Sequence, residues 1–449
     1  MSKTRQAVEI RPTSNKSPLA EQLLYIAVCT SPFAQAFTIP AGFPLKISEI
    51  CGLLAIALLF TEQRKGWHKA SGGHLIALFA ALLAASTALG VARPIPSINP
   101  AGYEHGLLFD IVLYAGYGGF VVAMCWMLAR YLGPERIGQG VGIAIRLTAA
   151  YSVFQVMAYL AGAGGVVTAT QGSLQLGRSY GIMLTRSGPL LEGNYLGFTA
   201  GVALFVCAHR RDRVGAWLSV ACLVYSQSTS GMLAAVAAAL VIMLVRPHAR
   251  LIGAAAAVGI GLLVIGPMIP TVEQAATVQL AKFGLADAGH WSGAQALTTS
   301  RDMRTASSTA GFMLGAMNPF LGVGPGRYGA WNNSVVDSRG QLVNWVNPKH
   351  RPIANNGLSQ IAAEEGLVAL LVIIVLLVRL VFRMRNHGRA MLGLAVFCLA
   401  GFNTAPAWTL MAAWIAIAHM ISTDSRDHAE GHAVPLASPP RQHHLAARR

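Results

Sequence analysis

The chain has 449 residues, of which 54 % are hydrophobic and 12 % charged, and its mean hydropathy is +0.51. That is roughly half the charge of an ordinary soluble protein, which excludes a soluble enzyme, a disordered chain, a disulfide scaffold and a nucleic-acid-binding domain. The formal net charge of +16 first reports topology, because lysine and arginine stay in the cytoplasmic loops of membrane proteins.

In chain order, residues 1–18 are polar and basic as far as Lys16 and read as a cytoplasmic segment. Ala34-Gln35-Ala36 has the form of a signal-peptidase site, but the long polar lead and nearby Pro32 favour an uncleaved first span. A ~30 Å hydrocarbon layer takes about 20 helical residues. About twelve segments qualify: 19–37, 47–61, 74–91, 107–129, 140–162, 193–208, 214–226, 230–245, 251–268, 357–382, 389–404 and 406–421. Counts of eleven or ten follow if the pairs around Ser226–Ser230 and Asn403–Pro406 are each one kinked helix. The expected architecture is an all-α, polytopic membrane bundle. Residues 19–268 hold spans one to nine, 269–356 form a large periplasmic loop, 357–421 hold the last three spans, and 422–449 form a disordered cytoplasmic tail. With both termini inside, most of the 34 lysines and arginines fall on the cytoplasmic side.

The six cysteines all sit in apolar runs with no paired spacing, so they read as packing residues. The tail histidines His428, His432, His443 and His444 read as solvated. No metal or other cofactor is expected. Asp-x-Asp, His-Glu-x-x-His and the phosphate-loop pattern are missing from the sequence. Gly324 to Gly329 fits Gly-x-Gly-x-x-Gly only literally and reads as a cluster of turns.

Two outer connections retain positive charge against the topogenic tendency. One, from about Ala163 to Glu192, contains Arg178 and Arg186; the other, 269–356, contains Lys282, Arg301, Arg304, Arg327, Arg339, Lys349 and Arg351. Long loops concentrate function. Thr271–Leu285 and Ser300–Met317 read as amphipathic surface helices within the second. Arg186, followed by a turn and the small-residue helix from Gly193, suits a phosphate at a guanidinium beside a helix N-terminus; the bland alternative is an interfacial arginine on lipid phosphate. Asn356, Gln360 and Glu364 share one helical stripe, as either a wet cavity wall or a packing ladder of hydrogen bonds. Deep ionisable residues are few, which weighs against an ion-coupled transporter.

Arg186, then Arg304 ahead of Asn318-Pro319-Phe320-Leu321-Gly322-Val323-Gly324-Pro325-Gly326, then a polar helix start closing on Glu364, Gly366 and Leu367 as Glu-x-Gly-Leu, together resemble the bacterial O-antigen ligase and polysaccharide polymerase family. The resemblance in motif covers about residues 180–370. It implies a metal-independent, inverting glycosyltransferase of GT-C-like architecture in the bacterial inner membrane. Its implied donor is an oligosaccharide on undecaprenyl diphosphate, and its acceptor a glycan or the lipid A core; membrane lipid and a chain-length regulator protein are the further partners expected. It assigns Arg186 and Arg304 to the donor diphosphate, with Arg301 assisting, and Asn355, Asn356 and Gln360 to a polar substrate-binding helix start. The family usually has histidine before the asparagine where this chain has Asn355. Either His350, five residues earlier, takes that role or this member works without it, and His350, Glu364 and Glu192 are the candidate proton acceptors. Ser228-Thr229-Ser230-Gly231 departs from the family's Ser-Arg pair. Both departures tilt the expectation towards a polymerase of O-antigen, capsule or exopolysaccharide. Ligation to lipopolysaccharide core, glycoprotein O-glycosylation and lipid-linked glycan transport are the alternatives.

Overall fold

The computed structural model describes residues 18–40, 44–61, 72–94, 107–171, 175–179, 182–247, 294–332, 335, 354–404 and 408–431. Long apolar runs become helices because a helix satisfies every internal backbone group within itself. In order these are α1 (Pro18–Thr30), α2 (Ile47–Thr61), α3 (Gly73–Ala92), α4 (Leu107–Met127), α5 (Gly133–Leu160), α6 (Gly164–Gln171), α7 (Gly193–His209), α8 (Arg213–Tyr225) and α9 (Thr229–Val245). Then come α10 (Ala294–Met317), α11 (Tyr328–Trp331), α12 (Gly357–Glu364), α13 (Leu367–Met384), α14 (Arg389–Thr404) and α15 (Met411–Gly431). Two short antiparallel ribbons interrupt the helices: β1 (Ile39–Pro40) with β2 (Pro44–Leu45), and β3 (Leu176–Ser179) with β4 (Ile182–Thr185).

Among the described residues, Gly73–Ala92, Leu113–Leu160 and Leu367–Met384 are long and apolar enough to cross a membrane, and five shorter apolar helices accompany them. The 48-residue run Leu113–Leu160 would be about 72 Å long if straight, more than twice a ~30 Å hydrocarbon layer. A π-helical turn at Leu128–Leu132 and Gly133, at φ +75°, divide it into α4 and α5.

The helix ends sort into two poles. α7 and α8 are joined by a tight turn at Arg210–Asp212, and the far end of α8 returns to the start of α7, where Ser228 Oγ donates to Asn194 Oδ1 at 3.2 Å. One pole gathers Glu21–Arg136 (2.8 Å), Arg210–Glu135 (3.3 Å), Arg426–Glu135 (3.2 Å), and Arg383 on Asp424, with Arg246 donating to the Arg385 carbonyl. Every arginine in that group is one the charge pattern puts on the cytoplasmic side. The core between the poles centres on Trp408, Trp414, Phe79, Phe198 and Phe397, all fully buried.

The structure departs from the sequence expectation in three places. The segment 357–382 is not one helix: α12 ends at Glu364, Gly366 takes φ +93°, and α13 starts afresh. A loop docked on that break supplies donors to the freed carbonyls, with Val323 N–H on Ala363 O at 2.8 Å and Gly324 N–H on Glu364 O at 2.9 Å. The first span ends at Thr30 rather than residue 37. The last helix continues past Ile421 to Gly431, held by Asp424, whose carboxylate meets Arg383 and His387. The expected span 251–268 and surface helix Thr271–Leu285 lie outside the described residues, as does the tail beyond Gly431. Ser300–Met317 forms most of α10.

Candidate active site

Arg186 follows β4 at the pole opposite the Arg210–Asp424 group. Its backbone N–H donates to Gln175 O at 3.2 Å and its Nε to Gln175 Oε1 at 3.3 Å. The same Oε1 accepts the Gly193 N–H at 2.7 Å, tying the guanidinium to the first residue of α7. A Cβ at Gly193 would come within 2.8 Å of Arg186 Nε and also strike the Ser226 carbonyl. Glycine is therefore required for the arginine to lie against the helix start.

Arg304 is exposed on α10 and close enough to Arg186 to act on its charge. Burial pushes the Arg186 guanidinium below its usual range, the like charge of Arg304 pushes the same way, and Glu192 partly offsets both. Two arginines from distant parts of the chain thus act on one another electrostatically, with Glu192 opposing. Like charges held together are a standing cost that an anion between them relieves. Arg301 lies on the same helix one turn earlier, with its side chain outside the described residues.

Below Arg304, α10 runs close along α12, because a Cβ on Gly311 would approach Ser359 O to 2.9 Å and one on Gly315 would approach Ala362 O to 2.6 Å. The chain then turns through Asn318–Tyr328 and clasps the end of α12. Glu364 is 2 % exposed. Its carboxylate accepts from Tyr328 N–H at 3.3 Å, from the Gly326 N–H and from Gln360 Nε2 at 3.3 Å, while Ser86 Oγ of α3 donates to its carbonyl at 2.6 Å. Arg327, also 2 % exposed, crosses from this loop to the C-terminal end of α3 and donates to Gly90 O and, at 2.8 Å, to Arg93 O. A cation suits the negative end of a helix. Burial lowers the Arg327 guanidinium from its usual range, and Arg93 beside it does the same. Arg93 in turn donates to Gly322 O at 3.1 Å and lies over the Trp331 ring, 5.1 Å from its centroid.

Asn356 is the N-cap of α12 rather than a member of its stripe: Oδ1 accepts from Leu358 N–H (2.9 Å) and Ser359 N–H (3.2 Å), and Nδ2 donates to Asn403 O (2.6 Å). Asn355 beside it is half-buried. Gln360 and Glu364 do stand on one face. His350 lies outside the described residues. The GxGxxG-like stretch is a run of turns, with Gly324 at φ +100° and Gly326 at φ +71°.

Sequence reasoning missed a second polar group here. Lys46 pairs with Glu49 at 2.7 Å, donates to Tyr117 Oη at 3.3 Å and lies 4.3 Å over that ring. Burial works against the Lys46 charge, but Tyr117 and Glu49 more than offset it and hold the amine above its usual range. Tyr195 is within electrostatic reach of Glu192, Tyr114 and Tyr117, and Tyr114 within reach of Glu364. Lys46, Glu49 and Tyr117 thus form a polar cluster at the start of α2. Lone lysines and tyrosines at the edges of apolar runs carry no spacing that would have revealed it.

The helical bundle, its apolar helices and a paired-arginine pole define a membrane protein with a polar site at one end. Residues 214–374 match the family model described as O-antigen ligase. The match spans 161 of the 449 residues, and over that segment the chain is similar to the O-antigen ligase family. The matched segment contains Arg304, the clasp and α12, but not Arg186. No curated protein matches the chain.

Proposed function

We propose that the chain is an inner-membrane, inverting glycosyltransferase that moves a glycan from undecaprenyl diphosphate to a hydroxyl acceptor at the periplasmic face, polymerising surface polysaccharide. What supports this reading is Arg186 held against the start of α7 through Gln175, with the like charge of Arg304 acting on it. Departure of a diphosphate is the hard step, and preorganised cations in a low-dielectric site stabilise the charge that develops there. The acceptor hydroxyl attacks the anomeric carbon as the bond to the diphosphate oxygen breaks, and its proton passes to a nearby base.

Glu364 has its carboxylate engaged by three donors, which supports a holding role and leaves His350 as the favoured proton acceptor, with Glu192 next. Arg301 is assigned to assist the diphosphate, and Asn355 to the helix start facing the acceptor. Polymerisation is preferred over ligation to lipid A core because Asn355 stands in the family's histidine position. A chain-length regulator is the partner such a polymerase would use. Purified full-length protein given undecaprenyl-diphosphate-linked repeat units is expected to lengthen them in detergent. Transfer only to lipid A core would convert the reading to ligase, and no transfer to any hydroxyl acceptor would refute it.

A further inference from the structure

Arg186 lies between two fully buried residues. Thr185 and Ser187 have no exposed surface, whereas Arg186 is half-buried, the alternation expected where extended chain sends successive side chains to opposite sides. Each neighbour carries a hydroxyl, and a buried hydroxyl needs a partner.

One network partners both. Thr185 Oγ1 lies 2.6 Å from Tyr225 Oη at the end of α8. The Tyr225 hydroxyl donates to Gln155 Oε1 of α5 at 2.9 Å, which leaves Thr185 to donate to the tyrosine. Gln155 Nε2 donates to Oε1 of Gln171, the last residue of α6, at 3.0 Å. Gln171 spends its own amide hydrogens beyond the arginine, on Ser187 Oγ at 3.3 Å and on Leu190 O at 2.7 Å. The path of hydrogen bonds therefore leaves the residue before Arg186 and returns at the residue after it. Gly188, at φ +55°, presses the same loop onto α5, where a Cβ would come within 2.8 Å of Ser152 Oγ.

Gln155 is the middle link. It has no exposed surface and sits in the apolar run Leu113–Leu160, where a polar side chain is expensive unless fully paired. An apolar side chain of the same shape would pack there at little loss of stability. What the amide adds is direction, since its donor and acceptor ends each demand the correct partner.

We propose that Gln155 is a positioning residue for the donor site: through Tyr225 and Gln171 it fixes both flanks of Arg186 and so aims the guanidinium at the diphosphate. This rests on the assignment of Arg186 to the donor made above.

The test measures binding of undecaprenyl diphosphate and undecaprenyl monophosphate to the full-length protein in detergent, with thermal unfolding alongside. Gln155→Met keeps the length of the side chain and removes both hydrogen bonds. It is expected to lower the preference for the diphosphate about fivefold, the size of one neutral hydrogen bond, with monophosphate affinity unchanged. Added to Arg186→Ala, it should cause no further loss of diphosphate affinity, because a residue acting through Arg186 has nothing left to aim. Tyr225→Phe, which cuts only the Thr185 link, should act in the same direction and decides the matter if Gln155→Met fails to fold. Preference lost in Arg186→Ala but kept in Gln155→Met and Tyr225→Phe overturns the positioning role and leaves the donor assignment standing. Equal weakening of both lipids, or a further loss in the Arg186→Ala background, overturns it too, as the mark of a merely structural role. Preference intact in Arg186→Ala refutes the donor assignment itself and this proposal with it.

Discussion

Replacing Glu364 separates a group that holds the clasp from one that takes a proton. Glu364→Ala removes the acceptor for the buried Tyr328 N–H, for the half-buried Gly326 N–H and for Gln360. An unsatisfied buried donor costs about 1–3 kcal/mol, so the Tyr328 N–H alone costs about that much. Glu364→Gln keeps one carbonyl for the backbone and loses chiefly the charge-assisted part, about 1 kcal/mol. Thermal unfolding of the full-length variants in detergent, run beside glycan transfer from a lipid-linked donor, is the assay. The expected order of stability is wild type, then Glu364→Gln slightly lower, then Glu364→Ala far lower, with Glu364→Gln retaining transfer. A Glu364→Gln protein as stable as wild type yet inactive at every pH would refute the holding role and make this carboxylate the proton acceptor.

Two further expectations follow from the same structure. Glu365 is fully buried and neither carboxylate oxygen has a hydrogen-bond partner, so Glu365→Leu is expected to raise stability by about 1–3 kcal/mol; a lower unfolding midpoint would show that the group is satisfied. Asp212, in the turn between α7 and α8, accepts both arms of the Arg146 guanidinium at 2.8 and 2.9 Å, and those bonds hold its carboxyl below the usual carboxylate range. A depressed folded pKa gives stability that is present above the unfolded value of about 3.9 and lost as pH falls through the folded one. The wild-type midpoint should therefore fall more steeply than that of Asp212→Asn as pH drops from about 6 to about 3, and parallel curves would contradict this.

The helical class and most helix positions were legible in the residues, because apolar runs of membrane-spanning length leave the backbone few alternatives. The basic pole was legible too: Arg136, Arg210, Arg246, Arg383, Arg385 and Arg426 follow the topogenic charge pattern and meet there. The break at Gly366 was not, because it depends on a loop from forty residues upstream supplying N–H groups to the Ala363 and Glu364 carbonyls. Within the candidate site, Arg186 and Arg304 were singled out from their outer positions and motif context. Lys46, Tyr114, Tyr117 and Tyr195 were not, since only tertiary packing gathers them. Asn356 and Glu364 were singled out for polarity in an apolar setting; their hydrogen bonds give both a structural use that helical spacing alone cannot distinguish from a substrate contact.

The central claim is that Arg186 and Arg304 together grip a diphosphate. Its most direct test is binding of undecaprenyl diphosphate against undecaprenyl monophosphate to the full-length protein and to Arg186→Ala and Arg304→Ala. Wild type should prefer the diphosphate by tenfold or more, about 1.4 kcal/mol, and each variant should lose most of that preference. Equal affinity for the two lipids in wild type, or a preference untouched by either substitution, would contradict the account.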